Sequence, residues 1–191
     1  MTTSEQLRAL LYDVPMPRLE GRDSFVTWLK FCHGVMRATE PLLEIAASKS
    51  NGALREYYHS KQLDEHDHAR WLAEDLASLG ETPYKIDHAT AATAGAQYYY
   101  LQHIGPEVFL GYIAALEFRP MPLAQVEELE NLYGKDALRC VRHHAVEDIE
   151  HAETLARVID QCEEHARVII YNALLTARMI GFYLSERIAH V

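Results

Sequence analysis

The chain has 191 residues, 18 basic against 28 acidic side chains for a formal net charge of −10, and 49% apolar residues. A chain of that length fits one domain that hides roughly 70% of the surface its unfolded form exposes. The acidic balance lacks the basic patch that nucleic acid or an anionic membrane surface would need, so neither is expected as a partner.

Taken in order, residues 1–22 hold Pro15, Pro17 and Gly21 and read as a partly ordered lead-in before a domain over 23–191. They carry no charged n-region with an apolar core, and no apolar run approaches the roughly 20 residues that cross a bilayer. A cytoplasmic protein without membrane spans is therefore expected. Asp23 or Ser24 can cap a helix with Phe25, Trp28, Phe31 or Cys32, and Val35 on one side, and Pro41 is expected to end or kink it before a short second piece. Asn51-Gly52 is a turn signal, and a helix over 53–79 closes at Gly80. Further helices are predicted over 89–103, from Gly105-Pro106 to the stop at Arg119-Pro120-Met121-Pro122, and over 123–132, 137–159 and 163–188. No stretch alternates as a strand would. The fold class is all-α, with six to eight helices in one bundle-like domain.

The chemistry concentrates on two of these helices. In 137–159 the apolar stripe of Ala137, Val141, Leu155, Val158 and Ile159 passes over His144, Asp148 and His151, spaced by four and three on one face. In 53–79 the stripe of Leu72, Leu76 and Leu79 steps back to His68, then Glu65, with Tyr58 farther up. Buried charges and imidazoles are costly without partners, and a carboxylate and an imidazole three apart can chelate one metal ion. Glu117, following Leu110, Ile113 and Ala114 at helical spacing, offers a third carboxylate. Asp64, His66 and Asp67 read as a solvated face, and Tyr98-Tyr99-Tyr100 as amphipathic helix. His33 reads as an ordinary core or surface histidine. Three imidazoles and three carboxylates without thiolate exclude a cysteine-type zinc site and suit two iron or manganese ions bridged by carboxylate.

The pattern Glu65-x2-His68, Glu117 in GYIAALE, and His144-x3-Asp148-x2-His151 resembles the haem-oxygenase-like dimetal oxidases and oxygenases, over about residues 25–185. The resemblance implies a compact haem-oxygenase-like bundle with two non-haem irons (or Mn/Fe) in the haem's place, held by those six residues. It also implies dioxygen as co-substrate and oxidation of a small molecule derived from an amino acid, amine or fatty acid. An external electron donor and a homodimer are compatible with it. Two departures stand out. Some members carry a carboxylate seven residues before the histidine matching His68, where this chain has Lys61. Others use one on the first long helix, where Glu40 and Glu44 are the only choices.

Two alternatives come from other classes. A ferritin-like metal-handling protein would also pair Glu65-x2-His68 with Asp148-x2-His151, although His144 and the extra C-terminal helix weigh against it. A metal-free thiaminase-like or accessory member of the same fold would need a nucleophile, and Cys32, Cys140 and Cys162 have no flanking signature for one.

Overall fold

In the computed structural model, which describes residues 1–85 and 87–189, the regular secondary structure of those residues is all helical. The expected end of the domain at residue 191 lies outside the described residues. Nine α-helices follow one another among the described residues. They are α1 (Thr3–Tyr12), α2 (Arg22–Lys49), α3 (Gly52–Asp64), α4 (His68–Ser78), α5 (His88–His103), α6 (Phe109–Glu117), α7 (Leu123–Tyr133), α8 (Arg139–Gln161) and α9 (Ala166–Ala189). Short 3-10 turns precede α6, α8 and α9.

Three elements depart from the sequence expectation. The segment read as a loose lead-in carries α1, because Thr2 and Glu5 form a reciprocal capping box and Leu7 and Leu11, four apart, are fully buried. Asp160 accepts from Ser4 N–H and Oγ–H at 2.8 Å each, and the Arg119 guanidinium donates to the carbonyls of Leu11 and Val14. Pro41 does not end α2, whose 28 residues continue past it. Pro41 leaves the Arg37 carbonyl without its usual helical donor, while buried Leu42, Leu43, Ala46 and Ala47 keep the C-terminal half in the core. The third departure matters most for chemistry: the single helix expected over 53–79 is broken at Glu65-His66-Asp67, with Asp67 at φ +71°. Asp tolerates the left-handed region better than most residues, and here its carboxylate is held by Arg70 Nε and Nη2 at 3.2 and 3.0 Å.

The other boundaries follow local rules. Asn51-Gly52 turns α2 into α3, Gly80 at φ +74° closes α4, and Asp87 caps α5 by accepting from Ala89 N–H at 3.0 Å. The close crossing of α6 and α9 needs Gly111: a Cβ there would overlap the Ile169 carbonyl oxygen and lie 2.9 Å from Ala173 N.

Apolar burial forms two cores. The larger joins α1, the C-terminal half of α2, α5, α6, α8 and α9 through residues such as Leu11, Leu42, Phe109, Leu155 and Ile169. The smaller joins the start of α2 to α4, α7 and the start of α8 through Phe25, Leu29, Leu76, Val126 and Val141. Helix α9 is long and apolar enough to cross a membrane by length and composition. Its stripe of Ile169, Ala173, Ala177, Ile180 and Leu184 is nonetheless spent inside the larger core.

Candidate metal centre

Helices α3, α4, α6 and α8 converge where the two cores meet. The break after α3 turns Glu65 and His68 toward each other, with Glu65 Oε2 2.8 Å from His68 Nδ1 and both side chains at least 96% buried. From α8, His144 Nδ1 lies 3.1 Å and His151 Nδ1 3.6 Å from Asp148 Oδ1. Glu117 enters from the last turn of α6, whose apolar residues are buried all round the helix.

These six side chains fall into two sets, Glu65–His68–His144 and Glu117–Asp148–His151, and within each the candidate ligand atoms lie within 4.8 Å of one another. Each set contains a buried atom with no hydrogen-bond partner, His144 Nε2 in the first and Glu117 Oε2 in the second. A buried polar atom left unpaired costs stability. With one such atom in each set, among nitrogen and oxygen donors only, both sets could hold a metal ion.

Between the sets stands a residue the metal motif did not include. Lys61, one turn before Glu65 on α3 and 4% exposed, places Nζ 2.8 Å from Glu65 Oε1, 2.5 Å from Glu117 Oε1 and 3.1 Å from His151 Nδ1. The one signal for it in the sequence is its spacing of seven from His68, two turns along the same inward face. Burial opposes the Lys61 charge, but Glu117 and Glu65 more than offset this and hold it ionised. Burial also raises Glu65, yet the hydrogen bond from His68 and the Lys61 charge keep its carboxyl well below the usual range. Glu117 is pushed up to about 7 by burial, with Asp148 and Glu65 adding repulsion that Lys61 only partly offsets. Burial works against the His144 charge, but hydrogen bonding to Asp148 and the nearby carboxylates raise the imidazole well above its ordinary value.

Of the remaining sequence candidates, Asp64 reaches the edge of the centre, its Oδ2 3.9 Å from His151 Nε2. Glu40 pairs with His66 on the surface at 3.3 Å, and Glu44 is exposed, so neither reaches the centre. Asp64, His66 and Asp67 are largely solvent-facing, and His33 is a core histidine. Tyr98 and Tyr99 are exposed; the phenols near the centre are instead Tyr57, whose buried hydroxyl is unpartnered and which feels Glu117 and Glu65, and Tyr112.

A cavity of about 690 Å³ opens above the centre. Lys61, Glu65, Glu117, His144 and Asp148 contribute to one part of its wall, and Trp28, Phe31, Val35, Met36, Leu72, Tyr112 and Ile113 make the rest largely apolar. Tyr12, Met16, Pro17 and Leu19, from the segment expected to be loose, complete the lining. Burial raises the thiols of Cys32, Cys140 and Cys162, which suits none of them to a nucleophile's task.

No family model and no curated protein matches the chain. Among solved structures, it resembles the crystal structure of a domain of unknown function with a heme oxygenase-like fold from Shewanella denitrificans OS217. The two share 13% identity with a TM-score of 0.72, over 98% of this chain and 89% of the other. At that identity the likeness speaks for architecture alone: the chain has a haem-oxygenase-like fold.

Proposed function

We propose that the chain is a dioxygen-dependent, non-haem iron oxidoreductase acting on a small molecule with an apolar body, derived from an amino acid, an amine or a fatty acid. Iron, or a manganese–iron pair, would be held by Glu65, His68 and His144 in one set and by Glu117, Asp148 and His151 in the other. The observation that carries the reading is the pair of buried, unpartnered ligand atoms, His144 Nε2 and Glu117 Oε2, at the wall of an apolar cavity.

Each part of the chain has a task in that reading. Ferrous iron held by these residues would supply the electrons that activate dioxygen. Helix α8 places two imidazoles around one carboxylate: the hydrogen bond between His144 Nδ1 and Asp148 sets the orientation of His144, and Asp148 Oδ1 lies 3.6 Å from His151 Nδ1. The break at Asp67 lets Glu65 and His68 face the same point from either side of a kink. Trp28, Phe31, Val35 and Ile113 exclude water from the reacting region and hold an aliphatic or aromatic substrate portion. Electrons beyond those the metal would supply would come from the substrate or from an external donor.

The test is anaerobic loading of the purified, metal-free chain with ferrous iron, removal of unbound metal, elemental analysis, and optical spectra on mixing with oxygen. Retained iron and oxygen uptake that rises with fatty-acid or amino-acid candidates support the reading. Failure to retain iron sinks it and favours a metal-free binding role for the cavity.

A further inference from the structure

The metal reading just given offers donors in two sets, and Lys61 bears on whether both are filled by metal in the wild type. An ammonium group has three hydrogens to donate. Lys61 Nζ has three acceptors within reach: Glu65 Oε1 at 2.8 Å, Glu117 Oε1 at 2.5 Å and His151 Nδ1 at 3.1 Å. Two of these belong to the set Glu117–Asp148–His151 and one is the outer oxygen of Glu65. A positive charge therefore already stands among the donors of the second set, 96% buried and fully coordinated.

The first set is different. Lys61 touches only Oε1 of Glu65, leaving Oε2 facing His68, while His144 Nε2 is buried without a partner. Two imidazoles and one carboxylate with further positions open form a recognised arrangement for a single ferrous ion. A divalent cation in the second set would have to share Glu117 and His151 with the ammonium at close range, in surroundings where like charges repel strongly.

We infer that Lys61 is the resident cation of the second position, so that the chain binds one metal ion tightly, at Glu65–His68–His144, and a second only when Lys61 is withdrawn. The six-residue motif is then a centre with one metal and one built-in ammonium. The lysine positions the donors of the second set and neutralises part of their charge.

The experiment titrates metal-free protein with Co(II) under anaerobic conditions, reading the visible bands of bound Co(II) and the metal retained per chain after desalting. The wild type is expected to retain one ion, lost in His144→Ala and kept in His151→Ala. Lys61→Met and Lys61→Gln are expected to retain two, with the second roughly 100-fold tighter than in the wild type. Adding His151→Ala to either Lys61 variant should return the count to one. Circular dichroism confirms that each variant is folded, and the wild-type and His151→Ala arms decide the matter even if both Lys61 variants fail to fold. Two tight ions in the wild type overturn this inference alone, as does one ion that is lost in His151→Ala. One ion in both the wild type and folded Lys61 variants also overturns it. No retained ion in any protein overturns both this inference and the proposed function.

Discussion

Replacing Glu117 by Gln should stabilise the metal-free protein at alkaline pH, although it removes a charged partner of Lys61. Glu117 is fully buried, one of its oxygens has no partner, and its carboxyl is raised from 4.5 to about 7. In the unfolded chain the same carboxyl ionises near its ordinary value. Between the two the folded state holds more protons, so this group's contribution to stability falls as pH rises from 4.5 to about 7. The loss is complete above that window and absent below it. At 1.36 kcal/mol for each pH unit of separation, ionising Glu117 in the fold costs about 3 kcal/mol at pH 8 but only about 1 kcal/mol at pH 5. Gln resembles the protonated acid in shape, keeps a carbonyl for Lys61 to donate to, and carries no charge to desolvate. Melting temperature changes by about 2–4 °C per kcal/mol at this chain length, so metal-free Glu117→Gln should melt roughly 6–12 °C above the wild type at pH 8. The gain should shrink to a few degrees at pH 5. Thermal unfolding followed by circular dichroism in chelator, at both pH values, makes the measurement. A variant that melts below the wild type at pH 8, or a gap that does not change with pH, would refute the reasoning.

Other outcomes follow from particular contacts. Gly111→Ala should lower stability by about 1–3 kcal/mol, equally at pH 5 and pH 8, because the added methyl meets the backbone of α9 rather than a movable side chain; an unchanged melting temperature would mean that α6 and α9 cross less closely. Asp75 is buried, its Oδ1 has no hydrogen bond and only a 4.0 Å contact with Arg139 Nε, and burial raises it from 3.8 to about 6. Its folded value is the higher one, so stability falls as pH rises through that window. Asp75→Asn should therefore gain on the wild type by about 1 kcal/mol between pH 5 and pH 8 in chemical denaturation. Cys32 and Cys140 should resist a thiol reagent at pH 8 in the native protein and react only on unfolding, since burial raises both thiols; rapid labelling of the native chain would revive a cysteine-based hydrolase.

What the amino-acid order determines here is whatever depends on neighbours three and four positions apart. Helical periodicity made the all-α class legible, Gly80, Asn51-Gly52 and Pro120 marked ends, and His144, Asp148 and His151 showed themselves as polar groups where α8 should have been apolar. Glu65 and His68 were legible for the same reason, although the kink between them was not: Asp67 leaves helical geometry through a local preference that the flanking helical pattern conceals. Helix α1 was missed because its two core leucines are too few to announce a helix beside a Pro- and Gly-rich stretch, and Asp160 and Arg119 fix it from far along the chain. Only the tertiary structure could decide that Glu117 and His151 close around Lys61. Those three residues come from α6, α8 and α3, and local spacing carries no information on which charge meets which across helices. The pairing depends on how closely the helices approach, and that is governed by packing of the whole core.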